Sequence, residues 1–407
     1  MAPLAPTLLP TLVTAVWTVF VLGCGSTDFG PGQSGGSATF EDVTAANLPA
    51  AVLTGLSMDA AVGDLDGDGD LDIVVAQEFA PNTLLLNDGA GAFSNASARL
   101  PAEARDSEDV GIADFDGDGD LDVVVVSEDD MVNEFYLNNG AGAFTDAQSR
   151  LPVTGVSNAL AVADITGDGF PDILIGNNGQ NVLLVNDGAG SFHDETDTRL
   201  PAGGDLTQDI EFGDVDGDGD LDILVGNEDN NRLLMNDGSG VFVDESAARL
   251  PLRVEAEETR EADLGDVDGD GDLDILFANV QTFVAGADRA NRLLINDGTG
   301  VFTDVSGDQL PADQDNSFDG DFIDVDADGD LDIVTGNANG NLNTNTPYRV
   351  YANDGTGRFT LETTTFFPAT AVGRGFDIEA ADFDGDGDVD LYMASRGSLD
   401  VLLFNSP

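Results

Sequence analysis

The chain contains no lysine. Its 407 residues include 14 basic side chains, all arginine, against 78 acidic ones, for a formal net charge of −64. Without lysine there is no Schiff-base chemistry and no phosphate-binding P-loop. With that charge nothing can neutralise a phosphate backbone, which excludes nucleic acid as a partner and disfavours docking on anionic lipid headgroups. Histidine occurs once, as His193, so a multi-histidine metal site is excluded. Cysteine occurs once, as Cys24, so there is no intrachain disulfide. The single tryptophan, Trp17, falls near the N-terminus and leaves the rest of the chain without the best stacking platform for sugars. What is present is 41% hydrophobic residues, enough for a core, so the acidity is not that of a disordered chain. Fifty glycines indicate many turns. Carboxylates at this density need a counter-charge, and a hard cation is the obvious one.

Residues 1–23 carry no charge, and Thr11–Gly23 forms an apolar run too short to span a bilayer comfortably. Such a run followed by small residues reads as an export signal. It ends at Val21-Leu22-Gly23-Cys24, which resembles the lipobox of bacterial lipoproteins and would make Cys24 the lipidated first residue of the mature chain. The alternatives are a simple cleaved signal or an uncleaved anchor with an incidental cysteine. Residues 24–39, rich in Gly and Ser, read as a flexible tether. The folded domain is then 40–407.

One nine-residue pattern, D-x-D-x-D-G-x-x-D, occurs seven times, starting at Asp64, Asp114, Asp164, Asp214, Asp266, Asp324 and Asp382. The steps are 50, 50, 50, 52, 58 and 58 residues. An apolar run follows each copy. A second apolar run then leads to a turn such as Asn87-Asp88-Gly89 or Asn236-Asp237-Gly238, a strong hairpin signal. A Phe recurs after the turn, and Leu-Pro closes the unit. Each unit thus holds about four short strands, and no stretch shows a 3.6-residue apolar period. Seven such units predict an all-β, seven-bladed β-propeller of four-stranded blades. The chain stops in the third strand of unit seven, whereas Phe40-Glu41-Asp42-Val43-Thr44 matches the fourth-strand text of other units. An N-terminal strand is therefore expected to complete the last blade and close the ring, removing exposed edges.

Positions 1, 3, 5 and 9 of the pattern offer side-chain oxygens and position 7 a backbone carbonyl, while Gly at position 6 allows a sharp turn. Position 2 is always apolar and should anchor the loop. Several carboxylates in one loop suit Ca²⁺ better than Mg²⁺. Position 12 is Val75, Val125, Ile175, Val225, Phe277, Thr335 or Met393, never the Glu of an EF-hand. The bland alternative is that these aspartates are turn formers on a solvated surface.

The candidate metal residues are Asp64, Asp66, Asp68, Asp70 and Asp72 in the first loop, and Asp114, Asp116, Asp118, Asp120 and Asp122 in the second. The third has Asp164, Thr166, Asp168, Phe170 and Asp172; its neutral position 3 should make it the weakest site. The fourth has Asp214, Asp216, Asp218, Asp220 and Asp222, and the fifth Asp266, Asp268, Asp270, Asp272 and Asp274. The sixth has Asp324, Asp326, Asp328, Asp330 and Asp332, and the seventh Asp382, Asp384, Asp386, Asp388 and Asp390.

This motif inside such a unit resembles the FG-GAP/VCBS repeats of integrin-α-like β-propellers, over about residues 40–407. The resemblance implies a propeller stabilised by up to seven Ca²⁺ ions, coordinated through positions 1, 3, 5, 7 and 9. It also implies an exported or envelope-attached protein used for binding and adhesion, with an extracellular protein or glycan as partner. Export as a monomeric lipoprotein or secreted protein would leave the lipid on Cys24 as the only membrane contact.

Function is expected to be binding rather than catalysis. His193 sits in an outer-strand slot held elsewhere by Thr145 or Val243 and reads as exposed decoration. No G-x-S-x-G elbow or cysteine nucleophile is present. Two alternatives stay open: a polysaccharide lyase or hydrolase built on acids outside the loops, and a purely structural envelope component. Strand alternation places the metal loops and the Asn-Asp-Gly hairpins on one face. The length differences fall on the other, at Leu252–Glu261, Asn279–Ala290 with Phe283 and Arg289, and Asn337–Pro347 before Tyr348. Variable loops on a rigid scaffold commonly carry binding, although neutral insertion would look the same. Four tyrosines remain as stacking candidates: Tyr136, Tyr348, Tyr351 and Tyr392.

Overall fold

The computed structural model describes residues 39–50, 55–128, 131–253, 256–312, 314–338 and 344–406. The export signal, Cys24 and the tether up to residue 38 lie outside the described residues. Among those described, no helix is long and apolar enough to cross a membrane.

Each unit folds as an antiparallel sheet of four strands, numbered here from the axis outward. In blade one they are Ser57–Gly63, Asp72–Pro81, Thr83–Leu86 and Ser94–Asn95. In blade five they are Thr259–Gly265, Asp274–Asn279, Arg292–Asn296 and Phe302–Asp304. The first strands of successive blades touch in cyclic order, and those of blades seven and one complete the circle. This is a closed β-propeller.

Closure uses the expected N-terminal strand. Thr39–Asp42 pairs antiparallel with Val401–Ser406, Phe40 opposite Asn405 and Asp42 opposite Leu403. The strand starts at Thr39, one residue inside the segment read as tether. Phe40 meets Phe367 edge-on with ring centroids 5.3 Å apart.

The second strands, such as Asp122–Ser127 and Asp222–Asn227, are buried throughout. Both of their faces are covered by neighbouring blades, so they carry unbroken apolar runs instead of alternation. The recurring Phe fills the gap between blades: Phe192 packs edge-on against Phe115 of the preceding blade (5.7 Å).

One feature departs from the sequence expectation. Each fourth strand ends in a single helical turn, for example Thr196–Arg199, Ser246–Arg249 and Thr363–Phe366. One turn is too short to show a period. In blades three and four an aspartate two residues before the turn holds its first amide: Asp194 Oδ1 accepts from Thr196 N, and Asp244 Oδ1 from Ser246 N.

Candidate metal loops

The seven D-x-D-x-D-G-x-x-D segments all connect first to second strands, as the spacing predicts. Position 2 anchors each loop: Leu65, Phe115 and Val325 are fully buried, and Ile165, Val215, Val267 and Phe383 nearly so.

The first loop shows the internal bonding. Asp64 accepts from Gly67 N (2.8 Å) and Gly69 N (3.1 Å), and Asp68 from Asp70 N (3.1 Å). Asp72 accepts from Leu65 N and from Asn87 N. The same bonds recur around Asp114, Asp266 and Asp382. Positions 1 and 9 thus fold the loop by holding its own amides.

Position 3 is different. Asp66 Oδ1, Asp116 Oδ1, Thr166 Oγ1, Asp216 Oδ1, Asp268 Oδ1 and Asp326 Oδ1 are buried and accept no hydrogen bond. One orphaned oxygen recurring at one loop position is what an ion site leaves. Carboxylate oxygens of Asp64, Asp66 and Asp72 lie within 4.8 Å of one another, as do those of Asp114, Asp116 and Asp122, and of Asp214, Asp216 and Asp218. The residues present fit a hard cation, and these loops can hold metal ions.

Position 7 side chains turn elsewhere. Asp70 lies so close to Gly89 that a Cβ there would sit 2.5 Å from its carboxylate, and Asp120 and Asp272 meet Gly140 and Gly298 alike. Only the backbone carbonyl of this position is left for an ion, as the pattern implies. The contact also places the hairpins on the loop face. In the third loop Phe170 takes the same place against Gly188.

Burial raises the position 9 carboxyls, against the pull of their two amide donors, to about 7 for Asp72, Asp122, Asp222, Asp274 and Asp390. Asp172 reaches about 6 and Asp332 about 8. Burial and the adjacent position 5 carboxylate push Asp66, Asp268 and Asp384 up as well.

Two elements of the site escape a sequence reading. The hairpin Asn is more than a turn former. Asn296 Nδ2 donates to Leu273 O of its own loop and to Val215 O of the preceding blade's loop. Asn138 and Asn353 do the same, so these side chains staple loop to loop around the ring. The helical-turn arginines Arg99, Arg150, Arg199 and Arg249 donate to hairpin carbonyls of the next blade. Arg249 also holds Asp216 Oδ2 at 3.2 Å, leaving Oδ1 free. The signal for these is the recurring Arg-Leu-Pro that ends four units.

The FG-GAP-like repeat model matches residues 64–125, 114–175, 164–225, 214–277 and 324–393, more than half of the chain. The chain belongs to the FG-GAP-like repeat family. Each match spans two consecutive metal loops, so the family signature is the loop together with its neighbour. No curated protein matches this FG-GAP-like chain. Among solved structures, the BBS1N domain crystallised in complex with ARL6DN superposes with a TM-score of 0.55 at 13% identity, covering 90% of this chain and 97% of that one. The BP39L lectin from Burkholderia pseudomallei gives 0.54 at 13% identity, with 86% and 96% covered. At that identity the likeness is one of fold.

On the opposite face three expectations change. Leu252–Glu261 is not one insert: Thr259–Gly265 is the first strand of blade five, and Glu257 and Glu258 are buried. In Asn337–Pro347, residues 339–343 lie outside the described residues, and Tyr348 is buried with its hydroxyl 2.8 Å from Ser395 Oγ. Tyr136, Tyr351 and Tyr392 are buried too, so none of the four tyrosines offers a stacking surface. Residues 280–290 do form a loop on this face. Glu258, with no exposure, accepts the N–H groups of Thr282, Phe283 and Val284 at 2.8–2.9 Å. Phe283 remains 64% exposed with Arg260 over its ring. His193 is exposed on its outer strand.

Proposed function

We propose that this FG-GAP-like propeller is a Ca²⁺-braced binding scaffold, exported to the cell envelope or beyond, and not an enzyme. Its partner is a protein that docks on the face opposite the metal loops. The observation that carries this reading is the placement of apolar exposure. Among the described residues, six of the ten exposed large apolar side chains, Phe79, Met131, Leu206, Leu252, Phe283 and Leu399, fall in connections or strand ends of that face, while Phe170 and Val301 lie on the loop face and Val243 and Leu361 on outer strands. Exposed apolar groups gathered on one face suit an interaction site better than singly scattered ones do. Phe283 is the best-held of them, because the Glu258 carboxylate fixes the backbone beneath it. Burial of all four tyrosines argues for protein over glycan. The solved neighbours include both a lectin and a protein complex, so both ligand classes belong in the test. Ca²⁺ acts at a distance, through the loops that set the blades.

The test is binding of the chain to a glycan array and to extracellular proteins, with and without Ca²⁺. It is compared with a variant whose 280–290 loop is cut to the length found in blade two. Loss of binding with an intact Ca²⁺-dependent melt is expected. Binding that survives the cut, or that is lost only on changing the Asn-Asp-Gly hairpins, places the partner on the other face.

A further inference from the structure

All seven first strands share an irregularity, a register shift between their first and second residues paired to the second strand, which lie two apart in sequence. Bulges re-aim the side chain that follows. In six blades that side chain is a carboxylate; blade three has Ala159. Several of the acids on these strands have a plain structural use. Asp59 Oδ2 accepts from Val110 N (2.7 Å), Asp109 Oδ2 from Leu160 N (2.5 Å), Asp209 Oδ2 from Ala262 N (3.0 Å) and Asp263 Oδ2 from Phe322 N (2.6 Å). Each bond crosses to the next blade, so these acids stitch the ring around its axis.

Blades five to seven also carry acids that lack this use. Glu261, Asp319 and Asp321 bring carboxylate oxygens within 4.8 Å of one another. Asp319 Oδ2, Asp321 Oδ2 and the Oδ2 of neighbouring Asp377 have no hydrogen-bond partner, although these residues are only 2, 5 and 6% exposed. The charges that act most strongly on Glu261, Asp319 and Asp321 are all carboxylates. Arg260, on the same strand as Glu261, is committed to Glu228 (3.0 Å) and Glu258 (3.2 Å). Like charges buried side by side are tolerated only when paired, protonated or bound to metal.

We propose that the propeller axis between blades five, six and seven is a further cation site, holding one Ca²⁺ on Glu261, Asp319 and Asp321 with Asp377 beside it. The donors are all oxygen, which selects a hard cation, and a cluster drawn from three strands suits the larger, more adaptable Ca²⁺ over Mg²⁺. The site is separate from the metal loops, the nearest of which begins at Asp324, three residues beyond Asp321. Its cation would draw together three blades, adding to the stitching bond that already joins blades five and six. The rival state is protonation, in which the buried acids share protons and no ion binds.

An anomalous difference map from crystals of the unmodified chain grown in Ca²⁺ decides between them. A peak among Glu261, Asp319 and Asp321, beside those of the loops, is expected; loop peaks without an axial one overturn the proposal. In solution, the Asp319→Asn/Asp321→Asn variant should bind one Ca²⁺ fewer at saturation. It should melt higher than the parent in chelator, where it relieves repulsion, and gain less on adding Ca²⁺. An unchanged stoichiometry, or an equal rise in chelator and in Ca²⁺, means protonated acids and no ion. The crystal result stands on the parent chain, so it holds even if the variant fails to fold.

Discussion

Blades three and five reach the face opposite the metal loops through the same bond. In blade three Asn177 N donates to Asn181 Oδ1, four residues on; in blade five Asn279 N donates to Asn291 Oδ1, twelve residues on; both are 3.0 Å long. The bracket is constant, and what it encloses changes freely. The loop face has no such bracket. There positions 1 and 9 hold the loop's own amides and the hairpin, and the bonds they make in the first loop recur in the seventh. Closing a longer loop costs little entropy, whereas one extra residue among the metal loops would displace staples such as Asn296. Constraint on one face and freedom on the other is the physical basis for putting the brace on the first and the partner on the second.

This contrast can be tested from the loop side, beginning with the largest effect. Without metal, the position 9 carboxyls sit raised to about 7 in most loops, above their unfolded value. The folded state then binds more protons than the unfolded one, so stability falls as pH rises through that range. In excess chelator the folding stability should therefore rise as pH is lowered from 8 to 6, by about 1 kcal/mol per loop, and the melting temperature should rise with it. A metal-free melt that falls over this interval would show the loops are not repulsive. In Ca²⁺ the same titration should flatten or reverse, because protons compete with the ion.

Next in size are single loop changes. Asp66→Ala removes one site and should cost up to about 2.7 kcal/mol when Ca²⁺ stands 100-fold above its dissociation constant. Thr166→Ala, at the neutral position 3, should cost clearly less. Equal losses in calcium-dependent melts would contradict the ranking of the loops.

The smallest effect is a gain. Position 4 of the sixth loop is Ala327 at φ 55°, where the other six loops have glycine. A left-handed non-glycine residue carries a penalty of about 1–2 kcal/mol, partly offset by the greater chain entropy of glycine when unfolded. Ala327→Gly should stabilise by up to about 1 kcal/mol, read by chemical denaturation.

The loops, hairpins and closing strand were legible because they are written as nearly identical text at fixed steps. A strand that pairs with the far end of the chain, Thr39–Asp42, was visible only because it repeats that text. The rest lacked such a signature. One-turn helices are shorter than any period. The staple role of Asn296 depends on a carbonyl 81 residues away, and sequence shows only its turn preference. The axial acids alternate along short strands and carry no motif of their own; only closing the ring brings Glu261 to Asp319 and Asp321. For the same reason Thr259–Glu261 read as a charged insert rather than the start of a buried strand.

That Ca²⁺ braces the ring is tested most directly by the melting temperature of the intact chain in excess chelator and again after Ca²⁺ is restored. A substantial drop on chelation, reversed by Ca²⁺ and much less by equal Mg²⁺, is the expected result. A melt that does not move in excess chelator would contradict it.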